Sequence, residues 1–229
     1  MNDQGECPIQ DTHQKLKEAT YFLGKCAELY HEPAEFQFNL NAFIQALRNT
    51  TFMLQSEPNK PEGFESWYAD KQTEMRRSDL LRRFVQARNV VVKQSSLKAR
   101  STALSGVFHQ RRFKLGIQHP VPLFAPSKWV LDRLKARVGF FLDEAHSLPW
   151  DQFGVYRTWV VVELGETEVL GLCVQALNQV GALVEEAHEI FGAAVESFKV
   201  EVDLLRTQSL LETDVDPSLV AKWGWNDSE

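Results

Sequence analysis

Arg88 holds the least ordinary position of any reactive residue in the chain. Over residues 79–93, at about 100° per residue, Leu81, Phe84, Val85, Val91 and Val92 share one helical face. Arg88 lies near the middle of that face, while Arg82, Gln86, Asn89 and Lys93 lie opposite or at its edge. A guanidinium keeps its proton, so an arginine centred on an apolar stripe must meet an anion, several acceptors or a wet cleft. An internal ion pair with Glu28 or Glu35 is the plainer alternative, and both stay open.

Other spacings invite metal or nucleophile chemistry. A carboxylate stands three residues before histidine at Glu28/His31, Asp143/His146 and Glu185/His188, in three of the six histidines. Such a pair shares a helix face and is the ligand pair of a di-metal carboxylate bundle. Glu35, Glu163 and Glu168 are conceivable further donors, but nothing singles them out. The run "VGFFLDEAH" spells a helicase acidic box, yet no GxxxxGK[ST] phosphate loop accompanies it. No GxSxG elbow is present. Cys26 and Cys173 fall on apolar helix faces and read as core. With Cys7 they are odd in number and widely spaced, which indicates neither a disulfide framework nor a zinc knuckle. No resident metal and no cofactor are expected. Phe64, Trp67 and Tyr68 could stack bases, though a small aromatic core cluster is the simpler reading.

Helical periodicity organises most of the chain. A first helix starts at Asp11 or Thr12 and is barred by Pro33; a second carries Phe36, Leu40, Phe43, Leu47, Thr51 and Leu54. The third long helix runs from Ser78 or Asp79 to about Lys93. From 95 to 126, glycines and prolines punctuate short apolar stretches, which reads as a loop or small hairpin. Ser127 caps a further helix towards Pro149, Tyr156–Leu164 is ambiguous between strand and helix, and a long helix spans 166–198. The expected organisation is a flexible N-terminus over 1–10, a single helical domain over 11–200 and an acidic tail over 199–229. Within that domain, 11–94 form the core and 127–198 the C-terminal helices.

Of 229 residues, 44% are hydrophobic and 24% charged, as in an ordinary globular protein. No secretory leader and no stretch near the roughly 18 apolar residues of a membrane span appear, so a cytoplasmic protein with no membrane partner is expected. The formal charge of −6 argues at first against a polyanionic partner. Resolved along the chain it does not. Residues 71–114 hold 12 basic and 2 acidic side chains, whereas both flanks are net acidic. That segment can concentrate phosphate over a Debye length, or can be neutralised by the acidic C-terminal helix.

The runs "YFLGKCAELYHEPAEFQFNLNAFIQALRNTTFMLQ" and "GFESWYADKQTEMRRSDLLRRFVQARNVVVK" resemble uncharacterised prokaryotic proteins of the HEPN superfamily. The resemblance covers about residues 15–100, and "EVLGLCVQALNQVGALVEEAHEIF" loosely. It implies an antiparallel helical bundle, a homodimer and a composite RNA cleft. Catalytic members are metal-independent endoribonucleases whose motif is an arginine, a polar residue and a histidine four to six positions after the arginine. Arg88 and Asn89 match its first half. Lys93 stands where the histidine is missing, and the next histidine downstream is His109.

The expectation is therefore a mainly α, HEPN-like protein with a hairpin insertion around 101–126, binding RNA or another polyanion. Arg88, Asn89 and Lys93 would form a degenerate catalytic set, and Arg82, Arg83, Arg111 and Arg112 would contact nucleic acid. The resemblance implies a toxin–antitoxin or defence setting. A non-catalytic dimeric module docking an acidic protein is the alternative, and the di-metal bundle is the third option.

Overall fold

The structure is a computed structural model, and it describes residues 7–93, 97–122, 124–138, 150–194 and 197–225. In chain order these form α1 (Gln10–Glu28), α2 (Pro33–Ser56), α3 (Phe64–Arg77), α4 (Asp79–Lys93), β1 (Ala99–His109) and β2 (Arg112–Pro120). There follow α5 (Ser127–Val138), β3 (Asp151–Val161), α6 (Val169–Ile190), α7 (Leu204–Gln208), β4 (Ser209–Leu211), α8 (Glu212–Val215) and α9 (Ser218–Lys222). The chain is mainly helical with a four-stranded antiparallel sheet. It divides into two compact units, one of Met1–Cys26, Gln37–Lys98 and Val161–Val202, the other of Ala27–Phe36, Ala99–Val160 and Asp203–Glu229. No helix among the described residues is long and apolar enough to cross a membrane.

The helices of the first unit follow the apolar spacing. Leu16, Ala19, Leu23 and Cys26 are the buried stripe of α1. Its first turn is held by the buried Glu57 carboxylate, which accepts from Thr12 N at 2.7 Å and Thr12 Oγ1 at 2.6 Å. An anion suits the positive end of a helix dipole, which explains a carboxylate in the interior. On α3, Phe64 stacks on Tyr68 with ring centroids 5.7 Å apart, and Tyr68 Oη donates to Thr51 O at 2.7 Å. The aromatic run is therefore core, the simpler of the two readings of the sequence.

The central helix α6 ends earlier than its pattern suggests. Gly192 takes a left-handed φ of 76°, and Ala193 N donates back to His188 O at 2.9 Å, a turn that stops the helix. The chain then doubles back. Asn178 of α6 exchanges both amide hydrogen bonds with the Val200 backbone, at 2.9 and 2.8 Å.

In the second unit the strand order is β2-β1-β3-β4. The expected hairpin exists as β1 and β2, with Val107↔Leu115 and Phe108↔Phe113 flanking a bulge. It is not an insertion into a helical bundle, as the sequence suggested, but half of a sheet. Gly106 faces Gly116 because the strands approach too closely for a side chain: a Cβ on Gly106 would lie 2.0 Å from Leu115 O. The ambiguous segment around Tyr156–Leu164 resolves as β3, buried along nearly its whole length. Its inner residues Phe153 and Val155 pack with Ala103, Val107, Val130 and Leu131. The stretch read as an acidic tail carries α7, β4, α8 and α9, and Leu211 and Trp225 are buried. A short helix started by Asp203 and a β4–β3 pairing explain that order in a segment rich in acid.

Tyr30 locks the turn after α1 onto β3. Its hydroxyl donates to Arg157 O at 3.3 Å and accepts from Trp159 N at 3.2 Å, while Trp159 Nε1 donates to Tyr30 O at 3.1 Å. Tyr30→Phe leaves a buried N–H without its acceptor, which costs about 1–3 kcal/mol. Urea unfolding should show that loss as a lower midpoint with an unchanged slope; an unaltered midpoint would contradict the role given to this hydroxyl.

Candidate functional site

Three helices of the first unit turn one stripe each onto a shared cavity of about 360 Å³. From α2 come Ile44, Leu47, Arg48, Thr51, Phe52 and Gln55, a run of i, i+3, i+4 neighbours; α3 adds Tyr68, Gln72, Met75 and Arg76. From α4 come Leu81, Arg82, Phe84, Val85 and Gln86, and Val180 of α6 completes the lining. The α3–α4 corner is fixed to α6 by Ser78 Oγ donating to Gln179 Oε1 at 3.1 Å and by the Lys71–Glu186 ion pair at 2.7 Å.

The lining is chemically lopsided. Three arginines and three glutamines stand over an apolar floor, and no carboxylate is among the described lining residues. Arg82 pairs with Asp79, and Arg76 reaches Gln72 only at 3.5 Å. The Arg48 guanidinium lies 4.1 Å from the Phe52 ring centre and donates to Thr51 Oγ1 at 2.8 Å. Burial, and then the nearby positive charge of Arg88, pull the Arg48 pKa down. Burial also raises the Tyr68 pKa. Both shifts have burial as their first cause, which disfavours the charged guanidinium and the charged phenolate alike.

Arg88 is half-buried on α4, beside the buried Phe84 and Ala87, and its Nε is enclosed with no hydrogen-bond partner. Asn89 and Lys93 are exposed on other sides of the same helix. Val85 and Val92, counted on the apolar face, are also exposed. Of the residues expected to contact nucleic acid, Arg82 and Arg83 belong to the first unit and Arg111 and Arg112 to the second. Arg83 Nη1 donates to Leu164 O at 3.2 Å. Arg111 grips Asp214 through both terminal nitrogens, at 2.6 and 3.0 Å, and also bonds Ser209. Arg111 is thus a fastener for β4 and α8, whereas Arg112 is exposed at the start of β2.

Among the described residues, the one group of three or more metal-capable side chains is Cys7, His13 and His188. Of the carboxylate–histidine pairs, Asp143/His146 lies outside the described residues. Glu28/His31 and Glu185/His188 fall in different units. Sequence spacing gave no hint of Arg48 and Arg76 as a pair, or of Cys7 with His188, because each pairing is made by tertiary packing. Arg48 even sits in the acidic N-terminal third, where a segment count cannot notice it.

A family model described as Bacteriophage lambda protein ea47 matches residues 1–217 of the chain. The chain belongs to that family. Protein ea47 of Escherichia phage lambda is 33% identical to it over 91 residues, which are 39% of this chain and 22% of that protein. The chain therefore spans about a fifth of the length of the curated relative it matches. No solved structure matches it.

Membership of the ea47 family, over nearly the whole chain, overturns the resemblance to HEPN proteins. Helices of similar length with an arginine followed by asparagine recur on many amphipathic surfaces, and the histidine that would have made the motif specific is missing. The sheet of the second unit is a further departure from a helical bundle. The grouping of Arg88, Asn89 and Lys93 as a catalytic set came from that resemblance and loses its ground with it.

His31, half of one proposed ligand pair, is instead a neutral structural residue. Its Nδ1 lies 2.8 Å from Ser127 Oγ, and Ser127 N donates to His31 O at 3.1 Å. Burial, and next the charge of Arg157, push its imidazole down from 6.5 to about 4. Between those values the unfolded chain binds the extra proton, so stability is full above pH 6.5 and falls as pH drops towards 4, by roughly 3 kcal/mol. Urea unfolding from pH 7 to pH 4.5 should show this decline, and His31→Gln should flatten it. An equal decline in the variant would show that other groups carry it.

Proposed function

We propose that this protein binds single-stranded RNA in the cytoplasm and lodges one nucleotide of it in the cavity among α2, α3, α4 and α6. The observation that carries this reading is the lining itself: Arg48, Arg76 and Arg82 over an apolar floor, with no carboxylate among the described lining residues and Asp79, outside the lining, paired to Arg82. Guanidinium groups meet phosphate oxygens in a planar fork, and an apolar wall accepts a base face. Gln55, Gln72 and Gln86 offer amides that both donate and accept, which suits a base edge. The lowered pKa of Arg48 supports the same conclusion, since an anion bound nearby would offset the burial that lowers it. The size falls within the usual range of small-ligand sites. Binding of this kind requires no proton transfer, and none is assigned.

Fluorescence anisotropy with a short labelled RNA strand tests the reading. The unmodified protein should bind at low salt and release the strand as salt rises, with about 0.7 in log–log slope for each phosphate contact. The double substitution Arg76→Gln with Arg82→Gln should weaken binding on the order of a hundred-fold, or about 1.4 kcal/mol for each ten-fold. Identical isotherms for the two proteins would overturn the proposal.

A further inference from the structure

The segment before α1 and the last turn of α6 bring three soft or borderline donors to one point. Cys7 Sγ lies 3.3 Å from His188 Nε2 and 3.7 Å from His13 Nδ1, and all three donor atoms lie within 4.8 Å of one another. Tetrahedral zinc, with bonds of about 2.3 Å to sulfur and 2.0–2.1 Å to nitrogen, holds sulfur and nitrogen about 3.5 Å apart. The two measured separations bracket that value.

The surroundings prepare the donors. His188 is buried, and its Nδ1 donates to Val184 O at 2.8 Å, which leaves Nε2 with its lone pair towards Cys7. The rings of His13 and His188 meet edge to face at 5.6 Å, which fixes their mutual angle. His13 rides on the first turn of α1, anchored by Thr12 against the Glu57 carboxylate, and Ile9 beside it is fully buried. Two imidazoles and one cysteine sulfur converging on one point are a metal donor set. A nucleophilic cysteine would need only one imidazole, and the second crowds the sulfur instead.

We infer that Cys7, His13 and His188 form a zinc site, with the thiolate and two imidazoles as ligands and the fourth position open to water. Binding releases the thiol proton to solvent and changes no oxidation state. The site ties the start of α1 to the end of α6. It is independent of the RNA-binding reading, which uses none of these residues.

The experiment equilibrates the full chain with zinc, desalts it and measures metal content, then repeats the titration with cobalt as a spectroscopic probe. One zinc per chain is expected. Cobalt should give the visible bands of a tetrahedral site and a near-ultraviolet sulfur-to-cobalt band, both displaced by zinc. Cys7→Ser should lose the sulfur band, and His13→Gln should weaken zinc binding more than about ten-fold, since even groups behind a ligand cost that much. Both positions are only half-buried, so these variants keep the fold where a change at buried His188 would disturb it. Circular dichroism checks that they do. Zinc far below one per chain in the unmodified protein, or a cobalt spectrum unaffected by Cys7→Ser, overturns the inference.

Discussion

A guanidinium buried on the central strand sets the construction of the second unit. Arg157 is 1% exposed on β3, and burial holds its pKa down at about 10, so it remains a cation at neutral pH. An interior charge has to be met by something, and here neutral acceptors hydrogen-bond it while the charge of Glu32 adds a favourable interaction. Ser101 Oγ accepts from Nε and Nη2 at 3.2 and 3.0 Å, and Ala125 O accepts from Nη1 at 2.8 Å. The Trp159 ring lies 4.4 Å beneath the guanidinium carbon. Each partner constrains its neighbourhood. Ser101 must be small and polar on the inner face of β1, the turn before α5 must aim a carbonyl inward, and Ser127 must serve both the guanidinium and His31. The neutral state of His31 follows first from its own burial and then from the same charge.

That constraint also explains what the sequence could not disclose about the sheet. The inward positions of β1 are Ser101, Ala103, Ser105 and Val107, with Leu104 between them only partly covered. An inner face of small residues, Ser101, Ala103 and Ser105, gives little period-two hydrophobic signal, so a strand eleven residues long reads as a loop or small hairpin. Its neighbour β3 is largely buried, and the apolar, β-branched stretch at its end, Trp159, Val160 and Val161, is too short for periodicity to assign to strand or helix. Helices α1, α2 and α4, by contrast, are legible to within a few residues, whereas α3 reads only as a short aromatic segment. Where α6 was drawn too long, a left-handed Gly192 ends it, and a single glycine within a helical pattern does not announce that conformation.

Of the residues lining the cavity, Arg82 was among the arginines the sequence marked for nucleic-acid contact, whereas Arg48 and Arg76 were hidden. Periodicity marked Arg88 because a charge on an apolar stripe conflicts with burial at a single position. The cavity has no such local conflict. Arg48, Thr51 and Gln55 follow the core positions of α2 by one or a few places, and read along the chain they are an ordinary polar edge. Only the approach of α3 and α4 makes that edge a wall. Summed charge misled in a related way: the basic segment 71–114 supplies fasteners such as Lys71, Arg111 and Lys114, which hold Glu186, Asp214 and Asp151, beside the arginines that face the cavity.

Helix α6 connects the two places in the first unit where donors stand without their natural partners. Val180 floors the cavity and Gln179 holds the α3–α4 corner, while Glu186 anchors α3 and His188 points Nε2 at Cys7. Those four residues span under three helical turns, about 13 Å along a rod that is buried on most of its surface. A helix so enclosed moves as one body rather than bending between its ends. Whatever fixes the C-terminal turn of α6 against the start of α1 therefore also fixes the wall against which α3 and α4 present their arginines. The precision of the cavity is in this sense a property of the helix behind it, whose last turn is held by residues from the opposite end of the chain.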